Sequence, residues 1–254
     1  MLSDVTGLGG AHPLASQLSV LHRFRIRLDV AVVVTVLVLT NLVAHFTVRW
    51  AGIVAVPLAA VGLVILLRRT GLGWADLGLD RDHWKSGVAY ALAAVGIVAS
   101  AIAVGALVPL TRPMFMNSHY VTISGALIAS MIVIPLQTVI PEELVFRGVL
   151  QGALQRAWGF RGVALGGSLL FGLWHIATSL RLTSGNVGFT RLFGGGVAGT
   201  LAGVLLAVLA TGAAGFVFSW LRRRSGSLLA PIALHWSCNG LGALAAAVVW
   251  QLST

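Results

Sequence analysis

The chain has 254 residues, of which 57% are hydrophobic and 9% charged, with a mean hydropathy of +0.94. That composition excludes an ordinary soluble domain and belongs to an integral membrane protein. The net charge of +10 comes without a soluble basic face, so it reads as topology and attraction to anionic lipid, with no nucleic-acid partner.

Residues 1–27 hold Gly, Ser and Leu without a sustained period and are expected to form a loose or interfacial cytoplasmic arm. No cleavable signal peptide is evident, because the first apolar run is longer than an h-region of roughly 7–15 residues. Apolar runs long enough to cross ~30 Å of hydrocarbon as helices follow at 28–48, 51–67, 87–108, 123 to about 150, 162–180, 193–220 and 228–250. These seven predict an all-α, polytopic transmembrane bundle forming one membrane-embedded domain over 28–254. The sixth run is long and Gly-rich, so a tilt, break or re-entrant turn there would add an eighth element.

Between the second and third runs, Trp74 and Trp84 stand among Asp76, Asp80, Arg81 and Asp82, a mixture that suits the headgroup layer. The stretch 110–122 carries Pro113, Met114, Phe115, Met116 and Tyr120 and reads as an external loop dipping back onto the bilayer. Gly195, Gly199 and Gly203, like Gly162 and Gly166, recur every four residues, a spacing that lets helix backbones approach closely. With a cytoplasmic N-terminus, Arg23, Arg25, Arg27, Arg68, Arg69, Arg81, Lys85, Arg147, Arg156, Arg161, Arg222, Arg223 and Arg224 fall inside. Only Arg49, Arg112, Arg181 and Arg191 fall outside. The bias supports an odd number of spans and a C-terminus outside. Sixteen Arg to one Lys, with abundant Ala, Val and Gly, is the usage of a GC-rich bacterial genome. A bacterial inner (plasma) membrane is therefore the expected location.

The only two glutamates, Glu142 and Glu143, stand side by side in the fourth run, with Arg147 one turn on. Charges at bilayer depth cost on the order of 3 kcal/mol each on insertion scales and default to function. The fifth run carries Phe171-Gly172-Leu173-Trp174-His175, and the seventh His235-Trp236-Ser237-Cys238-Asn239. Spacing of i and i+4 pairs Glu143 with Arg147 and points His235 and Asn239 the same way. Glu142 lies ~100° round from Glu143, so the two carboxylates need not share a task. Measured from Arg156, Arg161 and Arg224, the groups Glu142, His175 and His235 reach ~21, ~21 and ~16 Å into the bilayer at 1.5 Å per residue. Rare ionisable groups of three helices at one depth suggest one site.

Such a site supports water activation. A carboxylate at low dielectric is a stronger base than in water, and a neighbouring His can orient the same water or carry its proton. His235 with Asn239 could donate to an oxyanion. Alternatively, Glu142, His175 and His235 form a three-ligand set of the kind that holds catalytic zinc. Both chemistries fit the residues. Taken singly, Glu143–Arg147 is a structural ion pair and a lone intramembrane His a packing hydrogen-bonder. Cys238, the sole cysteine, excludes a disulfide framework and reads as a small core residue. His12, His22, His45, His83 and His119 have no partner motif and are assigned no role.

Glu-Glu-x-x-x-Arg at 142–147, Phe-x-x-x-His at 171–175 and His-x-x-x-Asn at 235–239, in that order, resemble the CPBP family. It comprises type II CAAX prenyl endopeptidases and related bacterial proteins, often described as intramembrane metalloproteases or Abi proteins. The resemblance covers roughly residues 121–245, with Ser-Leu-Leu-Ala-Pro before His235 similar to the lead-in of the family's last motif. It implies a helical membrane peptidase in which Glu142 is the general base, His175 assists, and His235 and Asn239 support the oxyanion. Glu143 and Arg147 would order the site. The metal stays open, and the family has eight helices more often than seven.

The expectation is a multi-pass membrane endopeptidase acting on a membrane-associated peptide or protein and approached from the cytoplasmic side. Its competitors are a non-catalytic binding or immunity protein keeping the same polar core, and a secondary transporter, which would call for an inverted repeat that the sequence does not show.

Overall fold

The structure is a computed structural model describing residues 13–48, 50–180 and 182–253. Helix α1 (Pro13–Phe46) opens on a proline, pre-set for a first helical position, and contains no glycine. It therefore starts well ahead of residue 28. Of the expected N-terminal arm, residues 13–27 are helical and residues 1–12 lie outside the described residues, as do Arg49 and Arg181. Helix α2 (Ala51–Arg69) packs against α1, and a single turn, α3 (Trp74–Leu77), ends on Gly78 at φ 73°. Helix α4 (Trp84–Leu107) exposes Leu92, Ile97, Val104 and Leu107 by 61–81%, the profile of a lipid-facing helix.

A short 3-10 turn at Arg112–Phe115 leads to a 52-residue helical run, Ile123–Trp174. At 1.5 Å per residue this is ~78 Å, more than twice a bilayer core. It is two arms. Gly159, at φ 65° and ψ −165°, takes a conformation close to glycine-only and turns the chain back. The arms then touch where side chains are smallest, with Gly166 and Gly167 against Leu154. The first arm is α5 (Ile123–Ile128), a π-helical stretch Ala129–Val139, α6 (Ile140–Glu143), a second π-helical stretch Leu144–Leu150, and α7 (Gln151–Gly162). The second is a π turn, Val163–Gly167, then α8 (Ser168–Trp174) and α9 (Ile176–Ser179).

Two small helices, α10 (Leu182–Gly185) and α11 (Val187–Phe193), precede α12 (Gly196–Ser225). The sixth run, where a tilt, break or re-entrant turn would add an eighth element, interrupts only at Gly194–Gly195 and is continuous from Gly196 as the 30-residue α12. Its close approach to α8 falls at Gly172, Gly212 and Gly215, where a Cβ on Gly172 would stand 2.7 Å from the Val208 carbonyl. It does not fall on Gly195, Gly199 and Gly203. The chain closes with α13 (Leu229–Trp236), a π turn Ser237–Leu241 and α14 (Gly242–Gln251). Among the described residues six runs qualify as spans by length and composition, and the folded-back one counts twice. Seven crossings result, the number expected.

The bundle has two ends. At one, Gly87 of α4 lies against Ser227 and Leu229, the Leu228 N–H donates to Gly78 O (2.9 Å), and Arg156 reaches Gly71 O (2.9 Å). Arg222 joins this arginine end by donating to Ala75 O (2.8 Å) and Asp76 O (3.1 Å), which docks the 71–85 segment on α12. At the far end, Gln251 donates to Val121 O (2.6 Å) and Arg112 to Ser253 Oγ (3.2 Å). There the 112–118 segment pairs with 185–190 through an Asn117–Asn186 bridge.

Candidate active site

Glu142 and Glu143 occupy the single α-turn Ile140–Glu143 between two π-helical stretches. Two prolines set this up. Pro135 lies inside the first stretch and the Ile140 N–H reaches back five residues to its carbonyl, while Pro141 has no N–H to give. π turns are rare and cluster at functional sites. Both carboxylates are buried, Glu143 fully and Glu142 to 7% exposure.

Glu143 Oε1 takes two donors, Arg147 Nη1 at 3.0 Å and His235 Nδ1 at 2.8 Å. The intrahelical pair follows from i, i+4 spacing. The His235 contact joins positions 92 apart and was not legible in sequence. Arg147, 1% exposed, is boxed by phenyl rings, its guanidinium carbon 3.9 Å from the Phe171 centroid, 4.7 Å from Phe218 and 5.7 Å from Phe146. The buried cation is held by one carboxylate and three π faces, while its Nε has no hydrogen-bond partner.

Glu142 faces another way. Its Oε1 accepts from Trp174 Nε1 (3.0 Å), and its buried Oε2 has no protein donor. Trp174, whose carbonyl accepts from Asn41 Nδ2 of α1 (2.9 Å), is the residue that sequence reasoning missed. The only signal for it was its place directly before His175. His175 caps α8 with Nδ1 2.8 Å from Phe171 O, so Nδ1 carries the proton and Nε2 is free. Both imidazoles pack edge-on against Phe171, with centroids at 4.6 Å for His175 and 6.0 Å for His235. Phe171 carries both imidazoles and the Arg147 guanidinium, Glu143 bonds Arg147 and His235, and Trp174 beside His175 bonds Glu142, so five of the six expected site residues gather around one ring.

Asn239 stands apart from that group. The π turn at Ser237–Leu241 changes the helical phase, so His235 turns inward to Glu143 while Asn239 is exposed in a cavity wall. The expectation that the two point the same way is corrected. Cys238 is corrected likewise: it is exposed in the same wall rather than in the core. Among the described residues no three His, Cys, Asp or Glu side chains stand together where they could hold an ion.

Residues 123–241 match the family model described as Type II CAAX prenyl endopeptidase Rce1-like. The match spans the whole polar site and bears out the resemblance read from its three motifs. It supports a membrane endopeptidase in general. No curated protein and no solved structure matches the chain.

Proposed function

We propose that the protein is an intramembrane endopeptidase in which Glu142 is the general base on a water that attacks a peptide carbonyl. The observation that carries this reading is the buried Glu142 Oε2, free of protein donors, on an acid whose other oxygen bonds Trp174, the residue directly before His175. As the water oxygen bonds to the carbonyl carbon, its proton passes to Glu142. The same proton then goes to the leaving amine as the C–N bond breaks. Trp174 fixes the orientation of the base through Oε1.

His175 orients the water or relays its proton from Nε2. His235, its Nδ1 held by Glu143, presents Nε2 for the developing oxyanion, and Asn239 serves the carbonyl's approach. Glu143 and Arg147 order the site and do not react. The charge bias puts the arginine end in the cytoplasm of a bacterium and the N-terminus with it. The substrate is a membrane-associated peptide or protein.

The test is cleavage of a panel of internally quenched peptides by purified protein in liposomes. Glu142→Ala and His175→Ala are expected to abolish turnover at unchanged expression. Normal turnover in either would end its assignment. An immunity or binding role would instead survive the isosteric Glu142→Gln change.

A further inference from the structure

The far end of the bundle holds a cavity of about 410 Å³ lined by Asn117, Tyr120, Thr138, Cys238, Asn239 and Phe115, among others. It lies within the ~300–1,000 Å³ range of small-ligand sites. None of its lining residues is charged. Thr138 is one turn before Glu142, and Asn239 one turn after His235, both on the side away from the arginine end. The cavity floor is thus about one helical turn from the acid and the imidazole.

Its wall is built. The 112–118 segment is tied to 185–190 by Asn186 Nδ2 donating to Met114 O (2.6 Å), Val187 N to Met116 O (3.1 Å) and Ser118 N to Gly185 O (3.3 Å). Gly188 makes the fit, since a Cβ there would stand 2.7 Å from the Met114 nitrogen.

We propose that this cavity is the peptide-binding vestibule of the site, taking an uncharged, extended stretch of polypeptide that enters from the end bearing residues 108–122. The inference rests on the peptidase reading. Side-chain amides and hydroxyls both donate and accept, matching a peptide's alternating N–H and C=O groups. A charged residue would lose its water without gaining a partner. Entry is then opposite to the cytoplasmic approach expected from sequence.

Cys238, the only cysteine in the chain, is a native probe of the cavity. The experiment measures its modification by a membrane-impermeant sulfonatoethyl thiosulfonate in vesicles of both orientations. Ser118→Cys in a Cys238→Ala background marks the far end. Cys238 is expected to react from the same side as that marker. Quenched peptides with uncharged central residues, at about ten times their Kd, should slow the reaction about tenfold. Peptides with Asp or Lys there should not, and modified protein should lose cleavage. In C238A the reagent should leave whatever rate remains unaltered.

Reaction from the arginine end only, or rates indifferent to every peptide, would overturn the proposal. Protection without any cleavage keeps the vestibule and removes the hydrolytic reading. Cleavage without protection does the reverse.

Discussion

Replacing the adjacent glutamates one at a time by glutamine should give opposite phenotypes. In Glu143→Gln the buried Arg147, 1% exposed, loses its only ion-pair carboxylate and keeps a 3.5 Å contact to Gly215 O and three rings. Breaking a buried pair from one side costs about 3–5 kcal/mol, partly offset by cation–π contacts of ~0.5–2 kcal/mol each. A net loss of about 3 kcal/mol lowers Tm by roughly 6–12 °C for a chain of this size. In Glu142→Gln the amide oxygen still accepts from Trp174 Nε1, so the change stays near ~1 kcal/mol, a few degrees. Cleavage should nonetheless fall by about 10²–10⁴ with the base removed. Tryptophan-fluorescence melts of detergent-solubilised protein, beside rates on the quenched-peptide panel, read both effects. An E143Q protein melting with the parent, or E142Q cleaving at the parental rate, would refute the division of labour.

Trp174→Phe keeps the ring and deletes the Nε1–H bond to Glu142, worth about 1 kcal/mol, so cleavage should fall several-fold; an unchanged rate would detach Trp174 from the base. Gly172→Ala drives a methyl onto the Val208 carbonyl, backbone that cannot swing away, and should cost about 1–3 kcal/mol in a melt. At the arginine end, the His83 hydrogen bond holds the Asp80 carboxyl below its usual 3.8. A depressed carboxylate contributes stability that is full above its unfolded value and is lost as pH falls through the folded one. Between about pH 5 and 2 the parent should therefore lose stability more steeply than His83→Gln; parallel curves would show the contact is idle.

The crossings and the identity of the polar residues were legible in sequence because charge is so rare in these apolar runs. Glu143–Arg147 was legible because helical spacing fixes it. The pairings Glu142–Trp174 and Glu143–His235 were not, since they join segments 32 and 92 positions apart. Their azimuths also depend on π turns that a 3.6-residue period cannot anticipate. The same phase change moved Cys238 and Asn239 to the cavity wall. The continuity of α12 escaped for another reason. Glycine weakens helices in water by exposing backbone, whereas lipid offers that backbone no competing partner.

The sharp reversal at Gly159 decides which segment serves the acid. Arg156 and Arg161 flank the bend, so the two arms form a hairpin joined at the arginine end of the bundle. Trp174 on the returning arm bonds Glu142 on the outgoing one. The acid thus draws its donor from the other limb of its own hairpin, a contact that needs no third helix to be in place.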